Sequence, residues 1–171
     1  MRSYAVISRL LDYPEQELLD HLDEMREVVA EDELLVEAER EAIHGVLDWM
    51  AGSSLLDLQA EYVQTFDVVP EHTLYLTHHT FGDSRERGPA LVELGEHYKA
   101  TGVEADGELP DYLPLILEYC ATLDPMEVQF FLGQAQEVLA LVADNLDKAE
   151  SPYAALVRIV EKRGRLARSA A

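Results

Sequence analysis

The chain is expected to be all-α, a single compact bundle of about eight helices, on three observations. Apolar residues recur at three- and four-residue spacing through most of its length. Prolines and glycines fall between these periodic runs, where they start or stop helices. No run alternates apolar and polar residues as a half-buried strand would, and no long repeat is present.

Residues 2–12 read as a short helix whose apolar side, Ala5, Ile7, Leu10 and Leu11, is irregular. Tyr13-Pro14 ends it, because a residue before proline is pushed out of the α region. Pro14 suits the first turn of a second helix, to about residue 30, with Leu18, Leu22, Met25 and Val29 facing in. Glu15 and Glu17 complement its N-terminal dipole. Asp32 is read as the cap of a third helix through Met50, carrying Leu35, Ala38, Ala42, Val46, Trp49 and Met50 inward, and Gly52 closes it. After Ser53-Ser54 a fourth helix over 55–66 presents Leu55, Leu58, Tyr62 and Phe66.

Pro70 then breaks the chain, and residues 73–88, TLYLTHHTFGDSRERG, lose the helical period and read as a connection between helices. Pro89 is the expected first residue of a fifth helix over 89–101, with Leu91, Leu94 and Tyr98 inward and Gly102 as its stop. Residues 103–109 are loop. With Asp111 as cap, Pro114 falls in the first turn of a sixth helix to about Thr122, where its missing N–H costs no bond. Asp124-Pro125-Met126-Glu127 starts a long seventh helix to about Lys148, and Ser151-Pro152 an eighth. The helical domain is taken as 1–160, with 161–171 a basic, flexible tail.

At 171 residues the chain can bury a core of its own. Its net charge is −21, and since residues 151–171 carry +4 the rest carries −25. Such a body repels nucleic acid and anionic lipid and attracts cationic peptides, or it serves solubility or a salty habitat. Lone Cys120 reads as a small buried hydrophobe in a reducing compartment. The apolar start Ala5-Val6-Ile7-Ser8 meets Arg9 at once, so no export signal is read and a cytoplasmic protein is expected.

Catalytic chemistry finds little footing. Adjacent His78 and His79 point apart on a helix or strand, so His72, His78, His79 and Asp83 read as hydrogen-bonded or surface groups, with no metal and no cofactor of the chain's own. Ser84 sits in GDSRERG, which is not a nucleophile elbow, and no phosphate-cradling lysine accompanies Gly82 and Gly88. The charged run Asp83, Arg85, Glu86, Arg87 is either a self-paired structural loop or a recognition surface. No enzyme is expected.

Four blocks carry a resemblance: Leu58-Gln59-Ala60-Glu61-Tyr62-Val63-Gln64-Thr65-Phe66-Asp67, Leu74-Tyr75-Leu76, Gly82-Asp83-Ser84-Arg85-Glu86-Arg87-Gly88, and Leu109-Pro110-Asp111-Tyr112-Leu113-Pro114. In this order and spacing they resemble NarJ-type chaperones, assembly factors of respiratory nitrate reductase within the TorD/DmsD group, from Leu10 to about Tyr119. The resemblance implies a TorD-like helical fold without catalysis. It implies a partner, the apo catalytic subunit of nitrate reductase, held by an N-terminal twin-arginine-like peptide. The client then receives molybdenum bis-guanine-dinucleotide cofactor and an iron–sulfur cluster before membrane docking.

Position within the blocks makes Glu61, Tyr62, Phe66, Asp67, Tyr75, His79, Asp83, Arg85, Arg87, Asp111, Tyr112 and Glu118 the candidate client-binding residues. Tyr62, Phe66, Tyr75 and Tyr112 would shape an apolar groove. Asp67, Asp111 and Glu118 would meet the client's cations, and Asp83, Arg85 and Arg87 would hold the loop or read a polar part of the client. The family usually has an acid where His78 stands, a histidine where Phe81 stands and often serine at Thr73, so the histidines carry no fixed role. The alternatives are a chaperone for a dimethyl sulfoxide or trimethylamine oxide reductase, and a metal-dependent enzyme built on the histidines.

Overall fold

The computed structural model describes residues 2–99, 101–103, 105 and 107–169, with the side chains of the last helix given to Arg165. Parts of the expected 103–109 loop and 161–171 tail therefore lie outside the described residues, as do Met1 and Ala100. The described chain is helical, as expected, with α1 Arg2–Leu11, α2 Gln16–Asp20, α3 Leu22–Glu31, α4 Glu37–Ala51, α5 Leu55–Tyr62, α6 Leu76–Phe81, α7 Arg87–Lys99, α8 Leu113–Thr122, α9 Pro125–Gln134, α10 Gln136–Lys148 and α11 Ala154–Ser169. No strand is present among the described residues; the one extended pairing is an isolated antiparallel bridge between Tyr75 and Tyr112.

The centre is the pair α1 and α8. α1 buries Ser3, Tyr4, Val6, Ile7, Ser8, Leu10 and Leu11, nearly its whole circumference, which explains why its apolar side looked irregular. α8 buries Leu113 through Leu117 together with Tyr119 and Cys120. The polar Ser8 is tolerated between them because its hydroxyl donates to the Pro114 carbonyl at 2.7 Å. A second layer is α11, packed on α9 and α10 and reaching α4. Gly164 makes that crossing close: a Cβ there would stand 2.7 Å from the Leu132 carbonyl oxygen.

Several boundaries differ from the sequence reading, each for a tertiary reason. The expected helix over 14–30 is broken at His21, whose ring donates to the Glu17 carbonyl at 2.8 Å while its main-chain N–H turns back to Leu18. Asp32 caps a helix, but not the one that follows it. Its carboxylate accepts the Ser3 N–H at 2.9 Å, one of the orphan donors of α1, and the Leu34 N–H at 3.0 Å, so α4 starts only at Glu37. Arg40 reaches back from α4 to the last carbonyls of α3, at Val29 and Ala30, and to those of Asp32 and Leu35. The fourth helix ends at Tyr62 and passes into a π-helical turn, Val63–Asp67.

Residues 73–88 are not all connection, because α6 forms inside them. α7 begins before Pro89, which occupies its first turn, and ends at Lys99, short of the expected 101, with Gly102 beyond it at a φ of 75°. Asp111 is not the cap of α8; Tyr112 holds that position and Asp111 is buried. The expected helix over 125–148 divides at Ala135, where α10 turns to lie along α11. α11 continues across position 160 without a break, burying Glu161, and Arg163 pairs with Glu39 at 2.7 Å and lies over the Tyr4 ring.

Asp32 supplies a stability test. Burial raises its pKa, but the bonds from Ser3 and Leu34 win and hold the carboxyl below its ordinary value. Its contribution is present above the usual carboxylate range and is lost as pH falls through the lowered value. Asp32→Ala is expected to cost about 1–2 kcal/mol near neutral pH by denaturant unfolding, with the penalty shrinking in acid.

Candidate functional site

Residues 73–88 are anchored by one carboxylate. Asp111 is 0% exposed. Its Oδ2 accepts the Thr77 N–H at 3.0 Å, the Thr77 hydroxyl at 2.5 Å and Arg87 Nη2 at 3.2 Å. Arg87 Nε donates to the same Thr77 hydroxyl oxygen at 2.9 Å. The main chain is joined as well, since Leu76 N–H reaches the Asp111 carbonyl and Leu113 N–H the Leu74 carbonyl. The start of α6, the start of α7 and the approach to α8 are therefore held at a single point. Asp111 is spent on this clasp and does not present a charge to a client's cations, as the sequence reading expected it to.

Beside the clasp lies a tyrosine network. Tyr112 donates to Asp12 Oδ1 at 3.0 Å, so Tyr62 is the donor across the 2.7 Å contact between the two hydroxyls, with the Leu11 carbonyl as a second acceptor at 3.3 Å. Burial pushes both hydroxyls well above the ordinary tyrosine value, with their near neighbours adding to the rise for Tyr112. They hold hydrogen bonds and do not exchange protons near neutrality. The Tyr62 ring meets Phe66 and Tyr153, both buried. Tyr75 stacks on Tyr112 and donates to Glu108 at 2.6 Å.

The remaining candidates are dispersed. Glu61 is half-buried and accepts the Thr65 hydroxyl at 3.0 Å. The His79 ring donates to the Thr73 carbonyl at 2.8 Å, and buried His72 to the Thr65 carbonyl at 3.1 Å. Asp67, Asp83, Arg85 and Glu118 are exposed. Among the described residues no group of three or more His, Cys, Asp and Glu is placed to hold a metal ion.

An open apolar hollow lies elsewhere among the described residues, and none of the candidate residues lines it. It is a groove of about 360 Å³ between α6, α7, α8, α9 and α10, lined chiefly by Leu76, Phe81, Leu94, Ile116, Phe131 and Val138. A second hollow of about 320 Å³ continues it along α9, sharing His97, Phe131 and Gln134 and adding Met126 and Phe130. Met126 and Phe130 are 77% and 72% exposed, so α9 offers an apolar ridge beside the groove. Glu93 and Glu127 stand in the lining. Thr77 connects groove and clasp: it belongs to the groove wall and carries the bonds to Asp111 and Arg87. The signal for the groove was present in α9, PMEVQFFLGQ, where Met126 and Phe130 fall off the face that Val128 and Leu132 bury.

Comparison with known proteins places these features in a family. The family described as nitrate reductase delta subunit has a model that matches residues 31–158. The chain is 37% identical over 163 residues to the nitrate reductase molybdenum cofactor assembly chaperone NarJ of Escherichia coli strain K12, covering 95% of this chain and 69% of that protein. It is 33% identical over 157 residues to the probable nitrate reductase molybdenum cofactor assembly chaperone NarW of the same strain, covering 91% and 65%. Against the probable assembly chaperone NarJ of Bacillus subtilis strain 168 it is 30% identical over 159 residues, covering 92% and 85%.

The charged run at 83–87 divides into unequal parts. Arg87→Ala leaves a buried carboxylate without its cation and is expected to cost about 3 kcal/mol in denaturant unfolding. Asp83→Ala and Arg85→Ala, at exposed positions, are expected to stay within about 0.5 kcal/mol of the parent. Equal effects at all three positions would refute this division.

Proposed function

The chain belongs to the nitrate reductase delta subunit family, and from that premise we propose that it is an assembly chaperone for the catalytic subunit of a respiratory nitrate reductase. Its relatives are named as assembly chaperones and not as catalysts. In this reading the apo subunit is held by its N-terminal segment, a twin-arginine-like peptide that folds as an amphipathic helix on the chaperone. The hold keeps the subunit competent to receive its molybdenum bis-guanine-dinucleotide cofactor and iron–sulfur cluster. The work is done in the cytoplasm, before the client docks at the membrane.

The observation that carries the reading is the apolar groove with its carboxylates, in a chain of net charge −21. A helix-in-groove complex needs an apolar trough for anchors at i, i+3, i+4 and i+7, and polar groups at the edge to set orientation. Leu94, Phe131 and Val138 supply the first, and Glu93 and Glu127 the second, for a cationic peptide. The clasp and the tyrosine network support this surface from within. That assigns Asp111, Tyr62, Phe66 and Tyr112 to positioning, and leaves exposed Asp67 and Glu118 to add long-range attraction.

Calorimetry with the client's N-terminal peptide tests the proposal. Saturable binding is expected that weakens as salt is added, since exposed charges are screened within about 10 Å at 0.1 M. Phe131→Asp is expected to reduce affinity at least tenfold, by placing a charge where an apolar anchor must be buried. Absence of binding to the peptide would sink the proposal, and unchanged affinity in Phe131→Asp would move the site off the groove.

A further inference from the structure

We infer that α7 is a movable wall of the groove, pivoting on the Arg87 clasp and latched at its far end by Tyr98. The inference rests on the reading of the groove as the client's seat. Of all the helices that line the hollow, α7 has the weakest hold on the body. Its main neighbour is the six-residue α6, whereas α9 packs along α11, and α10 along both α11 and α6. Tyr98 is the buried residue of α7; Ala90, Leu91 and Leu94 are half-exposed, and Val92 is 65% exposed. A helix with three or four apolar side chains left partly in water has not found its full partner surface.

The two ends of α7 are held differently. At the first, Arg87 bridges the buried carboxylate of Asp111 and the Thr77 hydroxyl, so parting them strands a charge in the interior. At the second, the Tyr98 hydroxyl donates to the Pro110 carbonyl and its ring lies 5.2 Å from Tyr119, a neutral contact that opens at much lower cost. The chain just past Tyr98 contains two glycines in left-handed conformation, Gly102 and Gly107, with nothing within reach of a built Cβ at either. The firm end is therefore the pivot and the far end the latch. Between them the middle turns of α7 overhang the hollow through Ala90, Glu93 and Leu94.

The wall has a reason to move. The hollow, about 360 Å³ and open to solvent, is lined for side chains, whereas a whole helix with its side chains is about 10–12 Å across. The hollow accepts the side chains of one helical face, and the far end of α7 must swing outward for the backbone to settle between α7 and α9. Once seated, the peptide covers Ala90 and Leu94 from one side and Phe131 and Val138 from the other. Closure of α7 would then depend on the apolar length of the peptide, which makes the latch a determinant of client choice.

Two measurements test this, one of them without any peptide. In the free protein, Tyr98→Phe keeps the ring and removes the bond to Pro110; amide exchange over 90–97 is expected to accelerate about fivefold, the value of one net hydrogen bond, while α1 and α8 exchange as in the parent. Parent rates over 90–97 in Tyr98→Phe would overturn the latch. With spin labels at Val92→Cys and Leu141→Cys, both exposed positions, the distance between α7 and α10 is expected to lengthen on saturation with the client's N-terminal peptide; native Cys120 is buried and stays unlabelled. An unchanged distance, with calorimetry on the same sample showing the peptide bound, would overturn the moving wall. If calorimetry shows no binding, the client assignment fails, and the peptide-free exchange result still decides the latch.

Discussion

The buried carboxylate of Asp111 is the constraint on which the functional half of the structure depends. A charge taken fully out of water must be compensated on the spot, and here the compensation comes from Thr77 and Arg87, two residues of other segments. The need to satisfy one side chain therefore sets where α6 begins, where α7 begins and how the chain enters α8. Thr77 makes the link to the surface, because the residue that feeds the carboxylate also forms part of the groove wall. Removing the charge does more than subtract a bond, since it takes away the common point from which three walls of the groove are measured.

The helical class was legible because it rests on local signals: periodic apolar residues, and caps such as Asp124 with Glu127, which the structure forms as expected with Met126 and Glu127 N–H on the Asp124 carboxylate. The family was legible because its blocks stand in order along the chain. What escaped was set by partners distant in sequence. Asp32 looks like a cap for the helix after it and serves α1 instead, through a bond spanning 29 positions. Asp111 looks like a cap for α8 and is a buried anchor for α6 and α7. The break at Ala135 has no proline to announce it and follows from how α10 lies on α11.

The same distinction explains the candidate site. A motif records residues that a family cannot change, and a buried charge cluster resists change as firmly as a contact surface does. Tyr62, Phe66, Asp111 and Tyr112 belong to the first kind, with the two tyrosine hydroxyls and the Asp111 Oδ2 bonded inside the protein. A surface of the kind proposed, gripping an apolar helix, needs only hydrophobic side chains of about the right shape, so Leu94, Phe131 and Val138 would leave little trace in a motif. Aromatic and methionine side chains on the open flank of α9 are the better sequence clue, because a soluble protein rarely places them in water without a use for them.

The central pair of helices has a consequence for how the protein is made. α1 leaves the ribosome well before its main partner α8, and the hydroxyl of Ser8 is satisfied by a carbonyl 106 residues further on. Its apolar circumference therefore stays without its native cover until α8 has been synthesised, since contacts this distant must meet a loop-closure cost before they reward it. A chaperone built in this way passes through a stage in which its own α1 is an exposed apolar segment awaiting its partner helix. That is the condition it is proposed to relieve in its client.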